Sequence, residues 1–151
     1  MKAITWLAVA GGVCIELIAV TDAAACQCGS IPAPSEALER SEAVVAGLVT
    51  SIVRVKTPIE VSGRKVLVRA QEVEIKVSEV WKGTPTATLR VVVGRSDCDY
   101  RFSAGEAFLI YVDRIQGRGG ELTATICKPT KRLSAAAKDR QELGPSQKVK
   151  G

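Results

Sequence analysis

The chain has 151 residues, 46% hydrophobic and 25% charged, a balance that predicts one globular domain. Its formal net charge is +5, and it contains no histidine. The missing histidine excludes Ser-His-Asp triads, Cys-His pairs and histidine-based zinc sites. We therefore expect a protein that binds a partner, is not an enzyme, and has no cofactor or metal of its own.

Residues 1–25 are predicted to be a cleaved signal peptide. Lys2 supplies a positive start, an apolar stretch runs from Ala3 to Val20, and the alanines at 23–25 form a small-residue cleavage site. Cleavage there makes Cys26 the first residue of a secreted chain, which would be periplasmic or extracellular in a bacterium. Glu16 disfavours a permanent membrane span, so no stable membrane insertion is expected. The alternative is a lipoprotein anchored at Cys26, which would leave an odd number of free cysteines.

Four cysteines remain after the leader, and an even number in an exported chain predicts a disulfide framework. They are Cys26, Cys28, Cys98 and Cys127. A bridge between Cys26 and Cys28 would close a small strained ring, so each is expected to reach a late cysteine. The residues alone leave two cross-pairings open. Either one pins the new N-terminus, which would otherwise fray, to the folded body.

The pattern of residues 26–145 predicts an all-β domain with short helices. After an extended segment at 29–34, residues 35–40 are expected to form a helical turn. Strands are predicted at 43–55, 66–80, 88–93, 108–112 and 121–127, with a loop at 57–65 and irregularities near Gly47 and Ser78. Ser134 is expected to cap a C-terminal helix that ends at Gly144, and residues 146–151 to form a flexible basic tail. Five strands and a terminal helix predict a small five-stranded OB-type Greek-key barrel with a disulfide-held N-terminus.

Several short segments form a recognisable series along the chain. They are Cys26-Gln27-Cys28, Ser41–Gly47, Glu74–Val77, Trp81–Gly83, Cys98–Tyr100, Gly105–Ile110, Thr125–Cys127 and Leu133-Ser134. Together they resemble the N-terminal inhibitory domain of the tissue inhibitors of metalloproteinases, a netrin-like domain with an OB-type barrel. The resemblance implies the pairing Cys26–Cys98 and Cys28–Cys127. The chain departs from that family in lacking a third disulfide and in having Gln27 where a small or hydroxylated residue is usual.

The resemblance implies a secreted inhibitor that binds the catalytic domain of a zinc metalloproteinase. Cys26 would coordinate the target's zinc through its α-amine and carbonyl oxygen, and Gln27 would enter the specificity pocket. Cys28, Gly29 and Ser30 would contact the target beside it. The alternative is a netrin-like extracellular module that binds a protein or an acidic polysaccharide without inhibiting anything. Nucleic acid is not an expected partner, because aromatic residues make up only 4% of the chain.

Two further sets of residues have competing interpretations. The aromatic residues Trp81, Tyr100, Phe102, Phe108 and Tyr111 could form a binding platform, but packing is the preferred interpretation. Asp97 and Asp99 flank Cys98 and could form an acidic site, although solvated loop carboxylates are expected.

Overall fold

The computed structural model describes residues 26–150, and the predicted leader at 1–25 lies outside the described residues. The elements in chain order are α1 (Pro34–Arg40), β1 (Ala43–Val61), β2 (Arg64–Lys82), β3 (Thr88–Val93), β4 (Ala107–Arg114), β5 (Leu122–Thr123), β6 (Lys131–Arg132), a 3-10 turn (Leu133–Ala135), α2 (Ala137–Leu143) and β7 (Gln147–Lys148). The prediction of a mainly β domain with a short C-terminal helix is confirmed. Within residues 26–150, no helix is long and apolar enough to cross a membrane.

The strands pair antiparallel in the order β3-β2-β1-β4-β5, with β6 added to β4 and β7 added to β2. β-branched residues dominate these strands because their stiff side chains pack well on a pleated surface. One face buries the main core, which includes Val45, Val49, Val73, Ile75, Val91, Phe108 and Ile110. A smaller core lies under the two helices and contains Ala37, Val44, Leu109, Tyr111 and Ala136.

The two irregularities predicted near Gly47 and Ser78 form one β-bulge. The register of β1 on β2 shifts between Ala46 and Gly47, so that Ser78 has no opposite residue in the ladder. The Ser78 hydroxyl donates instead to the carbonyl of Ala46 over 3.1 Å. A Cβ at position 47 would lie 2.6 Å from both Ile75 Cγ2 and the Lys76 carbonyl oxygen. Glycine is therefore required by this close approach of the two strands.

Replacing Gly47 with alanine is expected to destabilise the domain by about 1–3 kcal/mol, because the added methyl group overpacks a closed contact. The free energy of unfolding in urea measures the effect. Gly29→Ala is the matched control, since a Cβ at position 29 meets nothing within 4 Å. Equal stabilities of the two variants would contradict the proposed contact.

The prediction of a loop at 57–65 is wrong, because both strands continue through these residues as one long hairpin. β1 runs to Val61 and β2 begins at Arg64, which leaves only Ser62 and Gly63 in the turn. Both turn residues have positive φ, 51° and 76°, as the favoured two-residue hairpin turns require. β4 pairs only with the first part of β1, so Pro58 lies where β1 is an edge strand, and proline is tolerated in edge strands.

The fifth strand and the C-terminal helix are both shorter than predicted. β5 ends at Thr123, after which Thr125 makes a single bridge to Asp99 and the chain turns toward Cys127. α2 begins at Ala137, and its N-cap residue is Ala136, which makes no side-chain cap. Ser134 lies in the preceding 3-10 turn. The helix ends at Gly144, with φ of 75°, as predicted.

The tail predicted to be flexible at 146–151 is paired where it begins. Gln147 and Lys148 add a short strand to β2, and Val149 packs against the main core. The reason is Glu79, whose buried carboxylate lies under this strand. It accepts hydrogen bonds from Arg140, Ser146 and Lys148, each at 2.7 Å. Tertiary contacts therefore order a polar stretch that has no apolar pattern of its own.

We expect the stability of the domain to fall at acidic pH partly through Glu79. Burial raises the pKa of Glu79, but hydrogen bonds from Lys148, Ser146 and Arg140 outweigh it and hold the pKa below its ordinary value of 4.5. The stabilising contribution is thus present above pH 4.5 and is lost as the pH falls through the lower folded pKa.

Glu79→Gln should lower the free energy of unfolding at neutral pH by about 1–3 kcal/mol, because it removes the negative charge and one of the two acceptor oxygens that face these donors. The same variant should show a weaker loss of stability between neutral and acidic pH. Urea unfolding at a series of pH values measures both effects. An unchanged pH dependence in the variant would assign the acid sensitivity to other carboxylates.

Candidate functional site at the disulfide-held N-terminus

The first described residues, 26–33, form a segment without regular secondary structure that two disulfides hold against the domain. Cys26 is bonded to Cys98 and Cys28 to Cys127, with Cα–Cα distances of 5.0 Å and 5.2 Å. This is the pairing that the resemblance implied. Because the two anchors are only two residues apart in the chain, they fix both the position and the direction of the segment.

The two receiving cysteines lie on loops that are hydrogen-bonded to each other. Cys98 follows β3, and Cys127 follows β5. The Tyr100 amide donates to the carbonyl of Ala124 over 3.1 Å, and the Ile126 amide donates to the carbonyl of Cys98 over 2.9 Å. These bonds join the two loops, so that both disulfides attach the N-terminal segment to one support.

Asp99 shapes the loop that carries Cys98. Its Oδ2 accepts hydrogen bonds from the Ser96 amide at 2.9 Å and the Ser96 hydroxyl at 2.6 Å, and the Cys98 amide donates to that hydroxyl over 3.3 Å. Gly94 lies against the same carboxylate, since a Cβ there would approach Oδ2 to 2.5 Å. The prediction of solvated carboxylates fits Asp97, whose side chain is 83% exposed, whereas Asp99 is part-buried and hydrogen-bonded within its own loop.

Lys128 joins the loop that carries Cys127 to α1 and β4. Its ammonium group donates to the Ser41 hydroxyl at 2.9 Å and to the Arg40 carbonyl at 3.3 Å, and it forms an ion pair with Asp113. A cation is favourable at the last carbonyls of a helix, where the helix dipole is negative. Sequence reasoning missed this residue, and its position directly after a bridging cysteine was the available signal.

The outer side of the N-terminal segment is accessible to a partner. Gln27, Gly29 and Ser30 are exposed, and Cys26 and Cys28 are partly exposed. Two isoleucines add apolar surface to the segments joined by the second disulfide. Ile31 is 58% exposed, and Ile126 is 38% exposed. Ile126 was not predicted as part of the site. The predicted strand ran to Cys127, and its early end at Thr123 leaves Ile126 in an exposed turn.

Three sulfur atoms lie close together behind this surface. The Sγ atoms of Cys26, Cys28 and Cys127 are within 4.8 Å of one another. Each of them is already oxidised in a disulfide, so none is a thiolate that could bind a metal ion. The cluster therefore reflects the close approach of two bridges. Any metal chemistry at Cys26 must use its main-chain atoms.

The aromatic residues pack in or against the two cores and do not form a binding platform, as predicted. The rings of Tyr100 and Phe102 lie 4.8 Å apart, and those of Phe102 and Phe108 lie 5.2 Å apart with edge-to-face geometry. Tyr111 is fully buried in the smaller core. The Trp81 indole nitrogen donates over 2.9 Å to a backbone carbonyl in the turn after α2. Of these residues, Tyr100 holds the end of the loop that carries Cys98 against the main core.

A scan against models of known protein families found no match to the chain, and a search of curated proteins found no significant match. The resemblance to the tissue inhibitors of metalloproteinases therefore rests on the residues of this chain alone. Its most specific part is the pair of cysteines at 26 and 28, whose partners lie far along the chain on joined loops.

Proposed function

We propose that the chain is an exported inhibitor of zinc metalloproteinases, similar to the N-terminal domain of the tissue inhibitors of metalloproteinases. The observation that carries this proposal is the position of Cys26. It becomes the first residue once the leader is removed, and its side chain is held by Cys98. The disulfide occupies the thiol and leaves the α-amine and the carbonyl oxygen of the same residue free for a partner.

The chemistry of such an N-terminus suits an open zinc site in a target. A catalytic zinc keeps one coordination position for water, which an amine and a neighbouring carbonyl can displace by chelation. An α-amino group has a pKa of roughly 7.7–8.0, so losing its proton near neutral pH has a small cost. Chelation also requires that both atoms be fixed before binding. The two disulfides provide this order and so reduce the entropy lost on binding.

The residues after Cys26 would supply the contacts around the zinc. Gln27 is exposed and would enter the specificity pocket of the target. Cys28, Gly29 and Ser30 would run along the cleft beside it. The exposed Ile31 adds an apolar contact at the end of this ridge.

The strand pairing supports the OB-type barrel that forms part of this proposal. β1 pairs with both β2 and β4, β3 lies on the far side of β2, and β5 lies on the far side of β4. β3 and β5 are in contact, which would close the sheet into a five-stranded barrel. The receiving cysteines follow these two closing strands, so the site would lie at the seam of the barrel.

Export is the second part of the proposal. Two disulfides are compatible with an oxidising compartment, either extracellular or periplasmic, and residues 1–25 have the pattern of a leader. Lipidation of Cys26 would need the thiol that is bonded to Cys98, and would also acylate the amine. The disulfide-bonded, unmodified N-terminus therefore remains our proposal.

Two measurements on the exported protein test this function. N-terminal sequencing should show a chain that begins at unmodified Cys26. The intact mass without reduction should be lower than that of the reduced chain by the hydrogens lost when two disulfides form. The same sample is then titrated against a panel of zinc metalloproteinase catalytic domains, and stoichiometric inhibition of at least one is expected. A correct N-terminus that inhibits none of them would favour a netrin-like binding module. Lipid, an acetyl group or residues preceding Cys26 would exclude the chelating mechanism.

A further inference from the structure

The outer half of the β1–β2 hairpin projects beyond the rest of the sheet. β4 pairs with β1 only at Ala43–Leu48, and β3 pairs with β2 only at Gln71–Lys76. Among residues 26–150, the two strands pair only with each other from position 54 to position 70, in one unbroken register. This part of the hairpin has two faces, one of which is partly covered by the loop after β4, where Arg118 donates to Thr57 over 3.0 Å.

The opposite face of the hairpin is exposed and strongly basic. Because cross-strand partners share a face and side chains alternate, this face carries the pairs Arg54–Gln71, Lys56–Arg69, Pro58–Leu67 and Glu60–Lys65. All of these residues except Gln71 are exposed. This face therefore carries four basic side chains and one carboxylate. Arg95, in the loop after β3, borders the same depression as Arg54, Lys56 and Arg69.

These cations have no carboxylate partner among residues 26–150. Ten ion pairs occur in that part of the chain, and none includes Arg54, Lys56, Lys65, Arg69 or Arg95. Lys56 and Arg69 are directly opposite each other, an arrangement of like charges that destabilises a hairpin. The fold therefore concentrates positive charge here without neutralising it, which indicates an anionic partner.

Exposed apolar side chains accompany the charges at the end of the hairpin. Leu67 lies between the basic pairs on the same face and is 65% exposed. Val61 and Val66, beside the turn, are 49% and 45% exposed. A soluble acidic polysaccharide would neutralise the bases but would leave these three side chains in water. The surface of an anionic lipid bilayer accommodates both, because bases bind headgroups while apolar side chains enter the interface.

We propose that the outer half of the β1–β2 hairpin binds reversibly to anionic phospholipid surfaces. The contacts are made by Arg54, Lys56, Lys65 and Arg69, with Leu67 entering the headgroup boundary. This inference does not depend on protease inhibition, because the surface is distinct from the N-terminal segment. It would hold an exported protein at a membrane surface without a spanning segment.

Vesicle co-sedimentation of the processed, disulfide-bonded protein tests the proposal. The protein is expected to bind vesicles of mixed phosphatidylcholine and phosphatidylglycerol, and to bind phosphatidylcholine vesicles at least about ten-fold more weakly. High ionic strength should release most of it. The double variant K56Q/R69Q should lose roughly 25-fold in partitioning, since each base near an anionic surface contributes about five-fold. L67S should weaken binding at both low and high salt.

The matched control is K76Q/K138Q. It removes two exposed bases that form no ion pair within residues 26–150 and that lie outside the outer half of the hairpin. It should bind vesicles nearly as well as the parent protein, and thermal unfolding should show that all variants are folded. An equal loss in this control would reduce the effect to net charge and overturn the proposal. Failure of the parent protein to bind anionic vesicles would also overturn the proposal. This includes the outcome in which the parent binds only a soluble acidic polysaccharide and K56Q/R69Q loses that binding.

Discussion

Adding one alanine ahead of Cys26 is expected to abolish inhibition of a zinc metalloproteinase while leaving the domain folded. The added residue turns the α-amine into an amide, which cannot coordinate zinc, and it also occupies the space of the displaced water. We expect the inhibition constant to rise roughly 100-fold or more, which corresponds to about 3 kcal/mol. Steady-state inhibition by the parent and the extended protein measures the change, and urea unfolding verifies equal stability.

Gln27→Ala is the control, because it changes the neighbouring side chain and keeps the free amine. It should alter the ranking of target proteases but retain inhibition. The parent protein should also inhibit more strongly as the pH rises toward the pKa of its amine, roughly 7.7–8.0. If the extended protein inhibits as well as the parent, the amine is not a zinc ligand and the proposed mechanism is wrong.

The second large effect is expected from removing the bridge between Cys28 and Cys127. These cysteines are 99 residues apart, and the chain-entropy model gives about 4.7 kcal/mol for a loop of this length. The double serine variant should therefore be less stable in urea by roughly that amount. Segment 27–33 also loses its second anchor, so inhibition should weaken because the ordering must now occur on binding.

The matching variant replaces Cys26 and Cys98, which are 72 residues apart, with serine. Loop entropy varies only with the logarithm of length, so its loss of stability should be similar. Its loss of inhibition should be much larger, because the amine of residue 26 itself becomes mobile. Similar losses of inhibition in both variants would mean that the bridges act only as stabilising cross-links. A loss of stability below about 1 kcal/mol in either would contradict the entropic account.

Local chemistry made several parts of the fold predictable. A valine-rich, β-branched run located β1, and period-two alternation located β2, because a half-buried strand must place alternate residues in the core. The break in that alternation near Ser78 and the glycine at 47 located a bulge, since a missing Cβ permits close strand approach. The same reasoning failed at 57–65, where Pro58 and Gly63 indicated a loop. The local pattern does not show whether a third strand pairs with that edge of β1, and β4 pairs only with the first part of the strand.

The candidate site was also only partly predictable from the sequence. The residues alone showed that the early cysteines must reach the late ones, but they left two cross-pairings open. Both pairings use the same two loops, so the choice between them depends on the direction in which residues 26–28 cross the joined loops after β3 and β5. Asp99 and Lys128 also acquire their roles only there. Each directly follows a bridging cysteine, but that position alone does not show which groups the side chain will contact.

The sequence by itself determined the cysteine framework, the β-rich class, the bulge and the absence of histidine chemistry. These features depend on composition and on spacings of a few residues, which local sterics and burial control. Only the tertiary structure decided the ordered start of the tail over Glu79, the support of the N-terminal segment and the exposed basic face of the hairpin. Each of these arises from which elements lie beside one another. A charge is solvated or buried, paired or free, according to neighbours that are distant in the chain.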